Sequence, residues 1–310
     1  TSPHVLTAME VDYTAVDVVR LAEKDAWRAA EGTSLTYLPF IVSALCGALA
    51  EFPRLNASVG DDELIVHGTV NLAVAVDLDF EGLVAPVVRG VDERSIQDVA
   101  RSIVDVATRA RSRSLVPDDL AGGTFTVTNP GQYGTLFQFP IINQPQVAIL
   151  STDGIARRPA VVVDDDGGES IEARSLGVLA LAWDHRAFDG AYAAAFLRSM
   201  KRTLEGADWA ARWAVGADRC PPSGRFASAG WDGSATAMRW PFNSGSMPRN
   251  RLHPRTTCSC WNTTPSTRSA CGPLSTTFWL QRTRSTPRWC RPTGAATSRT
   301  TDPANWSATR

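Results

Sequence analysis

The sequence predicts an α+β fold in which helices cover a mixed β-sheet. Two segments with helical spacing of apolar residues open the chain, short runs rich in valine and other strand-forming residues fill its middle, and an alanine-rich segment with helical spacing follows them. Helices and strands do not alternate strictly along the chain. A doubly wound parallel sheet is therefore not expected.

Four helices are predicted. The first begins at Thr14, which can serve as its cap, and places one apolar stripe on its surface. The second covers residues 38–52, with Thr36 as its cap, and is apolar enough to be buried. The third covers residues 96–112 and the fourth residues 191–205.

Strands are predicted in two groups. Residues 70–79 and 83–90 flank the turn-prone Phe-Glu-Gly and indicate a hairpin or adjacent strands. The later strands lie in the segments TFTVTN, QVAILSTDGI, ARRPAVVVDD and IEARSLGVLALAWD, and the turn DDGGES joins the last two.

Composition divides the chain near residue 210. Lys, Glu, Ile and Tyr do not occur after that position, where Arg, Thr, Ser, Pro and Trp predominate. We expect residues 1–210 to form the folded unit and residues 211–310 to be a disordered or non-native tail. Back-translation of the tail one base out of frame permits two motifs that resemble lipoyl (octanoyl) transferases, so we interpret the tail as frameshifted read-through into a neighbouring gene.

Charge and hydropathy exclude several function classes. The formal net charge of -1 does not favour a nucleic-acid-binding face on the folded unit. No apolar stretch reaches the roughly 20 residues that cross a bilayer, and no export signal opens the chain, so a cytoplasmic location is expected.

Cys46 lies in an apolar run and is interpreted as a core residue. No metal site is predicted, since Cys258 and Cys260 are too few and wrongly spaced for structural zinc.

The segment DHRAFDG, residues 184–190, is the strongest candidate for chemistry. It lies between a strongly apolar strand and the start of a helix, a junction that can hold a rigid side chain at the edge of a cavity. The imidazole of His185 suits removal of a proton from a thiol near neutral pH. Asp189 fits a role in fixing the loop or the tautomer of the imidazole, or in simply capping the helix. Spacing alone does not decide between a structural and a catalytic His185.

Three motifs together resemble a known family. DHRAFDG, GGTFTVTNPGQYG (residues 122–134) and PIINQPQVAIL (residues 140–150) are similar to the catalytic domain of the dihydrolipoyl acyltransferases, the core component of 2-oxo acid dehydrogenase complexes. The resemblance covers nearly all of residues 5–205. It implies a chloramphenicol acetyltransferase-like two-layer fold.

The resemblance implies a role for each of three residues. His185 is the general base that deprotonates coenzyme A or, in the reverse direction, dihydrolipoamide, and the thiolate attacks the acyl thioester. Thr128 stabilises the resulting oxyanion through its hydroxyl, although by residue type alone it also fits a solvent-facing strand position. Asp189 holds the active-site loop. The residues that contact coenzyme A are not assigned.

The resemblance also implies an assembly. The site forms in a homotrimer, with His185 of one chain facing Thr128 of the next, in a channel for coenzyme A and lipoamide. The lipoyl domain, its flexible linkers, the peripheral-subunit-binding module and the first helix of the catalytic domain are expected to be missing before Thr1. Partners of the full-length protein are then the lipoyl domain and the 2-oxo acid dehydrogenase and dihydrolipoamide dehydrogenase components. A larger cage and the identity of the acyl group stay open.

Two other functions fit part of the sequence. A free-standing acetyltransferase of the chloramphenicol type shares the fold, but should lack the blocks at residues 122–134 and 140–150. An inactive core that only assembles the complex fits a truncated chain. The presence of His185, Thr128 and Asp189 favours the active enzyme.

Overall fold

The computed structural model describes residues 2–164, 166–214 and 237–241. The helices are α1 (Thr14–Glu31), α2 (Leu38–Glu51), α3 (Ile96–Arg111), α4 (Gly190–Gly206) and α5 (Trp209–Ala214). The strands are β1 (His4–Asp12), β2 (Ala57–Val59), β3 (Glu63–His67), β4 (Leu72–Val74), β5 (Val76–Asp77), β6 (Leu83–Val84), β7 (Val87–Val88), β8 (Phe125–Thr128), β9 (Ala148–Thr152), β10 (Ala156–Val163), β11 (Glu169–Asp184) and β12 (Ala237–Pro241).

A seven-stranded mixed sheet is the centre of the fold. Its strand order is β1-β11-β9-β8-β4-β7, and β10 pairs with β11 at one side. Strand β8 runs parallel to both β4 and β9, whereas β11 runs antiparallel to β1, β9 and β10. The predicted α+β class, a mixed sheet with helices, is confirmed.

The predicted helices and the central hairpin are confirmed with small changes at their ends. Strands β4 and β7, and strands β5 and β6, pair antiparallel. The predicted helix caps are wrong. Tyr13 occupies the cap position of α1, where Asp12 accepts a hydrogen bond from the backbone N–H of Thr14 at 2.8 Å, and Tyr37 occupies that of α2. Both helices thus begin one residue after a buried or half-buried aromatic ring rather than at a threonine hydroxyl.

The core is continuous between the helices and the sheet. Its largest fully buried side chains include Trp183 on β11, Phe40 on α2 and Phe196 on α4. Cys46 is buried among apolar residues, which confirms its interpretation as a core residue. No helix in the described ranges is long and apolar enough to cross a membrane.

The folded unit extends past the predicted boundary at residue 210. Helix α5 continues to Ala214, and Trp213 stacks on Phe40 with 5.8 Å between ring centroids and meets Trp27 edge-on at 5.8 Å. Residues 237–241 pair with β3. Composition missed α5 because its tryptophan-rich sequence resembles the tail that follows it. The rest of residues 211–310 lies outside the described residues, and the frameshift interpretation stays a prediction.

A buried carboxylate on α1 stabilises the helix layer against the sheet. Asp17 accepts hydrogen bonds from Tyr37 Oη at 2.7 Å, from Arg20 Nη2 at 2.8 Å and from the Ser175 hydroxyl on β11. Burial by itself raises the pKa of Asp17, but the hydrogen bonds from Ser175, Tyr37 and Arg20 outweigh it and hold the pKa below its ordinary value. The folded state therefore prefers the ionised form.

We expect Asp17→Asn to lower the free energy of unfolding by about 2–3 kcal/mol near neutral pH, because charge-assisted hydrogen bonds are lost. Because the folded-state pKa is depressed, the contribution of Asp17 is present above its unfolded-state pKa and is lost as the pH falls through the folded-state value. The stability difference between wild type and variant should therefore shrink below about pH 4. Urea unfolding at pH 7 and pH 3 measures both effects, and a difference that is unchanged by pH would contradict the assignment.

Candidate active site

His185 stands where the buried C-terminal part of β11 leaves the core. The last ten residues of β11, from Ser175 to Asp184, are all buried, and His185 is the first exposed residue after them. Its backbone N–H donates to the carbonyl oxygen of Pro3 at 3.0 Å, and Ala187 N–H closes a turn by donating to Asp184 O at 3.0 Å. Helix α4 begins at Gly190 directly after this turn. The sheet and the helix therefore fix the main chain on both sides of His185.

The imidazole of His185 packs against an aromatic side chain. Its ring stacks against Trp183, with 6.3 Å between centroids and 28° between planes. Trp183 is held in turn by a hydrogen bond from its Nε1 to Phe188 O at 3.2 Å and by stacking on the Phe188 ring. Within the described residues the His185 ring makes no hydrogen bond. An exposed imidazole with free nitrogens can exchange a proton with a bound thiol.

Asp184 is a site residue that sequence reasoning did not single out. It is 1% exposed, and its carboxylate accepts hydrogen bonds from Arg186 N at 3.0 Å, Arg186 Nη2 at 2.7 Å and Ser2 Oγ at 2.5 Å. Burial by itself raises the pKa of Asp184, but the bonds from Arg186 and Ser2 hold it below its ordinary value. The pattern Asp-His-Arg was the available signal, since it places opposite charges on both sides of the histidine.

Asp189 caps the helix that follows the loop. Its Oδ1 accepts a hydrogen bond from the backbone N–H of Tyr192 at 3.0 Å, the usual geometry of an aspartate at a helix N-terminus. No hydrogen bond joins Asp189 to His185 among the described residues. Of the roles considered from sequence, this geometry supports holding the loop and capping the helix, and it does not support fixing the imidazole tautomer.

Thr128 ends strand β8 and is half-buried. Its hydroxyl lies 3.5 Å from Gln138 Nε2, and its carbonyl oxygen accepts a hydrogen bond from the Thr152 hydroxyl at 3.4 Å. The turn beyond it is closed by Asn129, whose Oδ1 accepts from Gly131 N–H at 3.1 Å. The hydroxyl of Thr128 thus has only a long contact and can donate its hydrogen to another acceptor.

His185 and Thr128 are not neighbours within one chain. Thr128 pairs with Ser151 on β9, whereas Asp184 N–H, beside His185, donates to Val147 O just before β9 begins. Along the strands the two positions are offset by four residues at about 3.3 Å each, and across the sheet they are two strand spacings of about 4.8 Å apart. The main chains of His185 and Thr128 are therefore separated by roughly 15 Å or more. A single chain therefore does not bring the predicted base and the predicted hydroxyl together.

Among the described residues, the β10–β11 ribbon and the segment 136–141 each expose several large apolar side chains. On the ribbon formed by β10 and the first half of β11, the cross-strand pair Val161 and Ile171 is 65% and 79% exposed, and Val163 lies on the same face. The segment 136–141 exposes most of its large apolar side chains to solvent, namely Leu136, Phe137, Phe139 and Ile141. Contiguous exposed apolar surface of this kind is typical of sites that bind another protein chain.

Comparison with known proteins gives one consistent family. The sequence model described as 2-oxoacid dehydrogenases acyltransferase (catalytic domain) matches residues 1–211. The dihydrolipoyllysine-residue acetyltransferase component of the pyruvate dehydrogenase complex of Mycobacterium tuberculosis is 46% identical over 198 residues, which cover 63% of this chain and 36% of that protein. The lipoamide acyltransferase component of the branched-chain alpha-keto acid dehydrogenase complex of Bacillus subtilis is 39% identical over 206 residues, which cover 66% of this chain and 47% of that protein.

A solved structure agrees with these sequence matches. It comes from crystallographic and enzymatic work on the role of a serine, a histidine and an asparagine in the catalytic mechanism of Azotobacter vinelandii dihydrolipoamide acetyltransferase. It superposes with a TM-score of 0.62 at 33% identity, and the match covers 68% of this chain and 84% of that one. The chain described here thus spans less than half the length of the two relatives above, but most of this solved chain.

Proposed function

Because the chain belongs to the family of 2-oxoacid dehydrogenase acyltransferase catalytic domains, we propose that it transfers an acyl group between dihydrolipoamide and coenzyme A. One observation carries the proposal: the His185 imidazole is exposed directly after the buried part of β11, and it makes no hydrogen bond to any of the described residues. The histidine and asparagine studied in the Azotobacter enzyme are four residues apart, as His185 and Asp189 are here. That spacing supports His185 as the catalytic residue.

In the proposed reaction, neutral His185 accepts the proton of the coenzyme A thiol. The thiolate attacks the carbonyl carbon of the acyl-dihydrolipoamide thioester, and the carbonyl π electrons move to oxygen. The tetrahedral intermediate collapses with cleavage of the bond to the lipoyl sulfur, which takes the proton back from His185. Thr128 donates a hydrogen bond to the oxygen while it carries negative charge.

We further propose that the reacting pair comes from two copies of the chain. The separation of roughly 15 Å or more between His185 and Thr128 supports this proposal, because one hydroxyl must approach within about 3 Å of the oxyanion that forms beside the base. The exposed faces around Val161 and Ile171 and along residues 136–141 supply apolar surface for such contacts. A closed ring of three copies would give three equivalent sites.

The remaining partners follow from the proposed reaction. The dihydrolipoamide would be presented by a lipoyl domain. Acyl groups would be delivered by the 2-oxo acid dehydrogenase component and the reduced lipoyl group reoxidised by dihydrolipoamide dehydrogenase. The cytoplasmic location expected from sequence stays a prediction.

An assay with free dihydrolipoamide tests the function. Purified protein is mixed with acetyl-, succinyl- or isobutyryl-coenzyme A, and acyl-dihydrolipoamide formation is followed alongside size-exclusion chromatography. We expect turnover with at least one donor and elution as a trimer or a multiple of it, and the preferred donor identifies the acyl branch. A stable trimer without turnover on any donor would contradict the proposal and favour a structural core.

A further inference from the structure

The turn that carries His185 is held by a carboxylate with no assigned role. We propose that Asp184 is a positioning residue, whose buried carboxylate fixes the backbone turn and thereby the direction in which the His185 imidazole projects. This inference rests on the proposed function. In this proposal Asp184 does not touch the substrates and acts only through His185.

Asp184 closes the turn twice. Its main-chain oxygen accepts from Ala187 N–H at 3.0 Å, and its side-chain Oδ1 accepts from Arg186 N–H at 3.0 Å. His185 is enclosed by both rings, so its backbone dihedrals are fixed by two hydrogen bonds that share one residue. On one face the imidazole also stacks against Trp183.

The side chain of Arg186 completes this arrangement. Its Nε and Nη2 donate to the two carboxylate oxygens of Asp184 at 3.0 and 2.7 Å. The arginine side chain is 44% exposed while that of Asp184 is 2% exposed, so the pair links the core to the surface across the His185 position. A two-point contact between guanidinium and carboxylate fixes orientation as well as charge.

A second anchor comes from the segment that precedes β1. Ser2 Oγ donates to Asp184 Oδ2, and Pro3 O accepts from His185 N–H at 3.0 Å. The next residue, His4, joins Ser2 O through Nδ1 and accepts from Ile142 N–H through Nε2, both at 3.0 Å. Asp184 thus connects the loop to Ser2, and Ser2 and His4 continue the connection to the segment around residue 142.

The experiment compares two buried aspartates of similar surroundings. Asp184→Ala removes the turn acceptor, Asp184→Asn keeps the Oδ1 acceptor but loses the charge, and Asp17→Asn is the matched control. Asp17, like Asp184, is buried and accepts from a serine and from a nearby arginine, but it lies on α1. We measure kcat and KM per folded trimer, and hydrogen–deuterium exchange of the amides of residues 185–187.

We expect Asp184→Ala to lower kcat by about 10- to 100-fold with KM changed less than about 3-fold, because misplacement of a reacting group costs rate rather than binding. Asp184→Asn should recover part of kcat, and Asp17→Asn should leave kcat per folded trimer within about 2-fold. Amide exchange at residues 185–187 should accelerate in Asp184→Ala alone.

Two results would overturn the inference. One is a kcat of Asp184→Ala within about 2-fold of wild type. The other is exchange at residues 185–187 that is unchanged in Asp184→Ala, or that is raised equally by Asp17→Asn. If the wild-type chain has no transferase activity, the proposed function fails, and the exchange measurement alone then decides whether Asp184 fixes the turn.

Discussion

The His185→Ala variant should lose acyl transfer almost completely, with kcat reduced by about 10²- to 10⁴-fold. The imidazole is the general base of the proposed reaction, and within the described residues no other titratable side chain forms a hydrogen bond with it. Stability should change little, because the His185 side chain is exposed and the backbone bond to Pro3 is kept. Thermal unfolding and size-exclusion chromatography of the variant check the second expectation.

A matched histidine variant controls for nonspecific effects. His67 lies on β3, and its Nε2 forms a hydrogen bond of 2.8 Å with Ser58 Oγ, away from the turn after β11. His67→Gln should keep kcat within about 2-fold of wild type. If His185→Ala retains more than a tenth of wild-type kcat, the proposed base is wrong.

The Thr128→Val variant should show the second large loss. Valine keeps the shape of threonine but has no hydroxyl, so the oxyanion loses one donor, and removal of one such donor costs about 10²- to 10³-fold in kcat. Thr128→Ser keeps the hydroxyl and should retain most of the activity. Steady-state kinetics with the preferred acyl donor separates the two variants.

Thr126 provides the control for this strand. It lies two residues earlier on β8, on the same face, and its hydroxyl donates to Gln146 Oε1 at 2.6 Å inside the core. Thr126→Val should lower stability by about 1–3 kcal/mol, because the Gln146 acceptor is left unsatisfied, while kcat per folded protein stays near wild type. Equal loss of kcat in both valine variants would assign Thr128 a structural role only.

Sequence alone predicted most of the elements whose pattern is set by burial. The helical spacing of apolar residues in α1 and α3 reflects one buried face of each helix, and the long apolar run of β11 reflects the buried C-terminal part of that strand. Strand β1, along which only Val11 is buried, was not predicted, and neither were strands β2 and β3, although β3 alternates between half-buried and buried residues. The caps of α1 and α2 were misplaced because a threonine near a helix start is only one of several ways to satisfy the first N–H groups.

The sequence predicted which residues form the candidate site, but it did not predict their burial or the distances between them. The motifs gave His185, Thr128 and Asp189, since each stands in a distinctive segment. They did not indicate that Asp184 is buried and bonded on several sides, because burial depends on strands β1 and β9 that pair with β11 from distant parts of the chain. The distance between His185 and Thr128 likewise follows only from the strand register.

Mixing two inactive chains tests the central claim most directly. A His185→Ala chain and a Thr128→Val chain carry different tags, are co-expressed in equal amounts, and the assembled protein is assayed. If each site takes its base from one copy and its hydroxyl from the next, every trimer that contains both chains has one intact site of three, and trimers of a single kind of chain have none. Averaged over a random mixture, activity should therefore return to about one quarter of wild type. If the mixture is as inactive as the separate variants although mixed trimers are present, base and hydroxyl do not meet across a subunit boundary.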